Sequence, residues 1–282
     1  MNDRFTQRLE YLILTLIAGV ILVVQFAPQL VYASHDALFS APVNRPSSPP
    51  VREPVDWPAE LGATDPNYRV AVYVLKSVRY RDLDEHHALA VETATINSDW
   101  TFFSMLTDAA AALPDWSNNT IRVRFEIHEI TTTVEMVATN DDKKTPLRWA
   151  DPASVAAAAG KIPSTVDMVL VLFPDAYGRS NVGGLAALRS IDGVVRPFLA
   201  VAPTRPNDQQ RPGEAIVHEF CHGLESIAKA AGTPRPGLHN NTLYGFVSDH
   251  GSYAAWYTFY LTHPTEATAR TRLISPVATP AP

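Results

Sequence analysis

Two histidines and a glutamate in the run VHEFCHGLE are the residues best placed to do chemistry. His218 and His222 are four positions apart. On a helix they lie one turn apart on the same face, so both imidazoles can point at one metal ion. Glu219 lies about 100° round from His218, near enough to reach a water beside that ion. Two imidazoles that hold zinc, a carboxylate that takes a proton from water, and a third protein ligand from elsewhere make the constellation of a zinc hydrolase. The expected reaction is metal-assisted hydrolysis. Zinc lowers the pKa of its water toward about 7, Glu219 takes the proton, and Glu219 then passes it to the leaving amine.

The element that must position these residues is a helix from Pro212 to about Lys229. Pro212 fits a first turn, where its missing N–H costs nothing, and Glu214 suits the positive end of the helix. Lys229 belongs to the last turn and Gly232 follows as a cap. Ile216, Phe220, Leu224 and Ile227 form a core stripe, while His218, His222 and Glu225 form a second stripe that would face a cleft. Cys221, the sole cysteine, reads as a small buried hydrophobe; its position between the histidines points off their face.

This stretch resembles the zincin metallopeptidases. The resemblance implies an α+β fold: a twisted mixed β-sheet, an active-site helix beneath an edge strand, and a smaller helical C-terminal lobe across a cleft. It also implies His218 and His222 as zinc ligands and Glu219 as general base. The chain departs from the metzincin pattern His-x-x-Gly-x-x-His, because Glu225 stands at the glycine position and Ala228 at the last histidine. A gluzincin or aspzincin arrangement instead takes a third ligand from a later helix. Asp249, 27 residues after His222, is the first choice for that ligand. His250 is next, and His239 sits nearer in a loop. Glu225, one turn beyond His222, suits a carboxylate that orients a histidine. Tyr244, Tyr253, Tyr257 and His239 are candidates for stabilising an oxyanion.

Strands are expected at Arg69–Val78, Ile121–Ile127, Thr131–Val137, Asp167–Phe173 and Arg196–Ala202. Ile121–Ile127 alternates as a half-buried strand, and Asp167–Phe173 is a continuous apolar run that suits a strand buried on both faces. Helices are expected from Ser98 or Asp99 to about Leu113, stopped by Pro114, from Asp151-Pro152 to Ala159, and from Ser248 or Asp249 to Leu261. Residues 177–193 read as a loop with an irregular edge strand; its Gly183-Gly184 pair has no phosphate-loop spacing. Such an edge strand beside a catalytic cleft could pair with an extended peptide. The pair His86-His87 reads as solvated, since adjacent side chains diverge.

The chain has 282 residues and a formal net charge of −6, so it carries no basic footprint for nucleic acid. Residues 1–39 hold the apolar run Tyr11–Val24 after Arg4 and Arg8, which fits a signal peptide or an N-terminal transmembrane anchor. Residues 40–60 are a proline-rich linker. Residues 61–270 form the expected zincin-like domain, and 271–282 a disordered tail. Together these place the domain outside the cytoplasm, membrane-anchored or secreted, acting on a peptide or protein substrate. The rival reading is a catalytically idle zincin-like surface module that binds peptide or cell-wall polymer.

Overall fold

Alternation along the central strands creates two cores, one on each face of a six-stranded sheet. The computed structural model describes residues 52–80, 90–138, 147–175, 184–203, 211–244, 246 and 253–265. The expected N-terminal segment, the C-terminal tail, His86, His87, Asp249 and His250 lie outside the described residues. The sheet has the order β1-β5-β2-β8-β10-β9, built from β1 (Glu60–Gly62), β2 (Tyr68–Leu75), β5 (Val123–Ile130), β8 (Met168–Leu172), β9 (Gly184–Ile191) and β10 (Val194–Val201). The four inner strands run parallel, and β1 and β9 pair antiparallel at the two edges. On β2, Val70, Val72 and Val74 enter one core while Ala71, Tyr73 and Leu75 enter the other. All five residues of β8 are buried, as a strand covered on both faces requires.

The second sheet has four strands in the order β4-β3-β6-β7: β3 (Ser77–Tyr80), β4 (Ala90–Thr93), β6 (Val134–Ala138) and β7 (Arg148–Ala150). It closes the second core together with helix α2 (Pro152–Ala159). The first core lies under helices α1 (Ile96–Trp116), α3 (Glu214–Ala230) and α4 (Tyr253–Thr262). The described residues thus form a mixed α+β structure with two mixed sheets and four helices. None of these helices is long and apolar enough to cross a membrane.

Several local expectations shift. The strand expected at Arg69–Val78 breaks at Lys76, where the chain passes from the large sheet to the small one. Lys76 Nζ bridges Asp99 and Glu129 at this corner, at 2.9 and 2.7 Å. Helix α1 starts earlier than expected. Thr95 is its N-cap and Ser98 completes a capping box. The helix also runs past Pro114 to Trp116. Loss of one amide near a helix end is a local defect, and the Trp116 ring is held there by stacking on Tyr257, with centroids 5.3 Å apart. β9 is regular rather than irregular: Asp192 (φ 51°) and Gly193 (φ 78°) make the two-residue turn that joins it to β10. Residues 52–58, read from composition as linker, lie against α1. The Trp100 indole donates to the Glu53 carbonyl at 2.8 Å, and Trp57 meets Phe103 edge-on. Glu60 already belongs to β1.

Candidate metal centre

Helix α3 is amphipathic in the sense expected. Ile216, Phe220 and Leu224 are buried against the sheet. Gly223 lets the helix approach closely, since a Cβ there would stand 2.8 Å from Met168 Sδ. At its start α3 has no capping side chain of its own. Asp108 of α1 substitutes: one oxygen accepts the Gly213 amide at 2.9 Å and the other pairs with Arg211. The helix runs beneath β9 and β10, the edge of the sheet among the described strands.

Three histidines meet on the open side of this helix. One ring nitrogen each from His218, His222 and His239 lie within 4.8 Å of one another, a group able to hold a metal ion. His222 Nε2 and His239 Nε2 are 3.1 Å apart. Two nitrogens bound tetrahedrally to one zinc at the usual 2.0–2.1 Å stand about 3.3 Å apart, so the spacing fits an ion between them. The remaining nitrogens of the helical pair are already engaged. His218 Nδ1 meets the Tyr257 hydroxyl at 3.0 Å, and His222 Nδ1 meets Glu225 Oε2 at 2.7 Å. Such partners fix ring orientation and leave the Nε2 atoms for the ion. Burial, with His222 and His239 close by, pushes His218 down to about 4, which keeps it neutral and available as a ligand. Burial also opposes charge on His222, but its bond to Glu225 and the charges of Glu225 and Glu219 outweigh this and hold it above its ordinary value.

Glu219 is 6% exposed. Burial lifts its carboxyl to about 7, against the pull of His222. That is the range in which a general base works best near neutral pH. Its carboxylate fills the space beside Gly184, the first residue of β9. A Cβ on Gly184 would stand 2.5 Å from Glu219 Oε1. Gly184 is therefore a site residue whose role sequence reading missed; the signal was a glycine beside the expected edge strand, without a partner to explain it.

His239, one of the three open candidates for third ligand, is the one the described residues bring to the helical pair. Glu225 lies against His222 Nδ1, the position an orienting carboxylate would take. Tyr257, a candidate oxyanion donor, lies in the first core. It is 2% exposed and its hydroxyl is bound to His218. Tyr244 stacks on Trp256, with centroids 5.9 Å apart. Cys221 is fully buried, and burial pushes its thiol far above the ordinary range, so it is inert.

In comparison with known protein families, curated proteins and solved structures, the chain matches none.

Proposed function

We propose that the chain is a zinc-dependent hydrolase of zincin type, a metallopeptidase that cleaves peptide bonds. The observation that carries the reading is the convergence of His218, His222 and His239 on one point, with the buried Glu219 next in sequence to the first of them. His218, His222 and His239 are the proposed ligands. Three neutral imidazoles leave the full charge of a divalent ion to act on its surroundings. A zinc ion held there supplies Lewis acidity, which acidifies water and polarises a carbonyl. Glu219 accepts the proton of the attacking water and delivers it to the leaving amine. Its position next to His218 on the same helix, with its buried carboxylate against Gly184, supports this role.

An extended substrate has a natural track. β9 is an edge strand among the described strands, and its first residue overlies Glu219. A peptide pairing with β9 would carry its backbone past the catalytic carboxylate. With the N-terminal segment read as a leader or anchor, this chemistry belongs outside the cytoplasm.

The test is hydrolysis of casein or a peptide library by the full chain and by Glu219→Gln. The wild type should cleave. The variant should keep one zinc per chain and lose at least about 100-fold in kcat, as expected for loss of a general base. A wild type that binds zinc but cleaves no peptide would instead support the idle binding module.

A further inference from the structure

We propose that Glu225 is a positioning residue that ties the second and third metal ligands to one carboxylate, and that the site uses both of its oxygens. This rests on the metal-site reading above. Oε2 lies 2.7 Å from His222 Nδ1, while Oε1 accepts the backbone N–H of Leu238 at 2.5 Å. Leu238 immediately precedes His239. Leu238 is 3% exposed, and its carbonyl accepts the Trp256 indole N–H at 3.1 Å. The residue that carries the chain into His239 is thus held at its side chain, its carbonyl and its amide. The hold on the amide comes from the same group that orients His222.

Two N–H donors converge on Glu225, so the position calls for two acceptors. A carboxylate offers them; an amide of the same shape offers one acceptor and one donor. Glutamine at 225 has two choices. It can turn its NH2 toward the Leu238 amide, setting donor against donor and releasing the loop that carries His239. Or it can present NH2 to His222 Nδ1, favouring the tautomer whose proton sits on Nε2, the nitrogen that faces His239. Either choice displaces one ligand, with side-chain volume unchanged. This separates the proposed role from packing, which glutamine preserves.

The experiment measures zinc affinity by chelator competition for the full chain, Glu225→Gln, His239→Ala and the double variant. Glu225→Gln should bind zinc about 10–100-fold more weakly than wild type, the range for lost partners of metal ligands. The penalty should shrink in the His239→Ala background, because part of it acts through His239. A residue that merely supports the fold would give the same penalty in both backgrounds. Zinc affinity of Glu225→Gln within twofold of wild type, or equal penalties in the two backgrounds, overturns the proposal. Should Glu225→Gln fail to fold, the ¹⁵N NMR signals of His222 in the zinc-loaded wild type decide instead. A proton on Nδ1 supports the proposal and a proton on Nε2 overturns it. A wild type that takes up no zinc fails the site reading itself, a result distinct from a zinc-binding wild type that ignores Glu225→Gln.

Discussion

Gly184 and Glu219 share one small space, and a single methyl group tests how tightly. In Gly184→Ala the new Cβ would collide with the end of the Glu219 side chain rather than with backbone. The carboxylate can swing away, so the fold survives while the base is misplaced. Gly184→Ala should therefore keep stoichiometric zinc and lose about 10–100-fold in kcat, checked by metal analysis beside steady-state kinetics. Glu214 offers a second single-residue test, at the buried start of α3. Burial raises its carboxyl to about 7, against a backbone hydrogen bond at Arg211 and with Asp108 adding to the rise. A raised acid binds its proton more tightly in the native state between about 4.5 and 7, so its contribution to stability falls as pH rises through that window. Glu214→Gln should match wild type in urea melts at pH 4.5 and exceed it by on the order of 2 kcal/mol at pH 8. The legibility of the site divides at this scale. His218, Glu219 and His222 were readable because helix geometry alone fixes their relation. Gly184 was not, since its meaning depends on which side chain occupies the space that a Cβ would take.

The elements hold the site by close approach and by shared polar groups. Helix α3 meets α1 at Gly213, where an added Cβ would collide with the backbone at Ala109 and Met105. Backbone cannot step aside as a side chain can. Gly213→Ala should cost about 1–3 kcal/mol in denaturant melts, the range for overpacking. The loop after α3 is pinned to α4 by Arg235 donating to the Tyr260 carbonyl at 2.9 Å and Trp256 donating to that of Leu238. α4 in turn places Tyr257 on His218. Its aromatic side chains pack into the core, with Trp256, Tyr257, Phe259 and Tyr260 buried. The third histidine was only one of several candidates in the sequence because 17 residues and a loop separate it from His222. No local period links the two; the link is the burial of Leu238 and the reach of Glu225. β9 was half legible for a related reason. Its glycine, alanines and leucines, which favour a strand weakly, hide it, although Asp192-Gly193 carries a hairpin signal.

Across the whole described structure, the six-stranded sheet separates two jobs. One face packs on the small sheet and α2, and the other carries the helices around the three-histidine cluster. Strands buried on both faces, such as β8, announced themselves as unbroken apolar runs. The division into two sheets did not, because it depends on a corner at Lys76 held by Asp99 and Glu129. A metal that binds only the folded chain adds to its stability, by about 2.7 kcal/mol when free zinc is 100 times its Kd. Chelation should therefore lower the Tm of the full chain, and added zinc should restore it. The most direct measurement is zinc titration of the stripped full chain by calorimetry, beside His239→Ala. The three-histidine centre predicts one zinc per wild-type chain and at least about a 10-fold weaker site in His239→Ala. Absence of stoichiometric zinc in the wild type, or equal affinity in the variant, would contradict it.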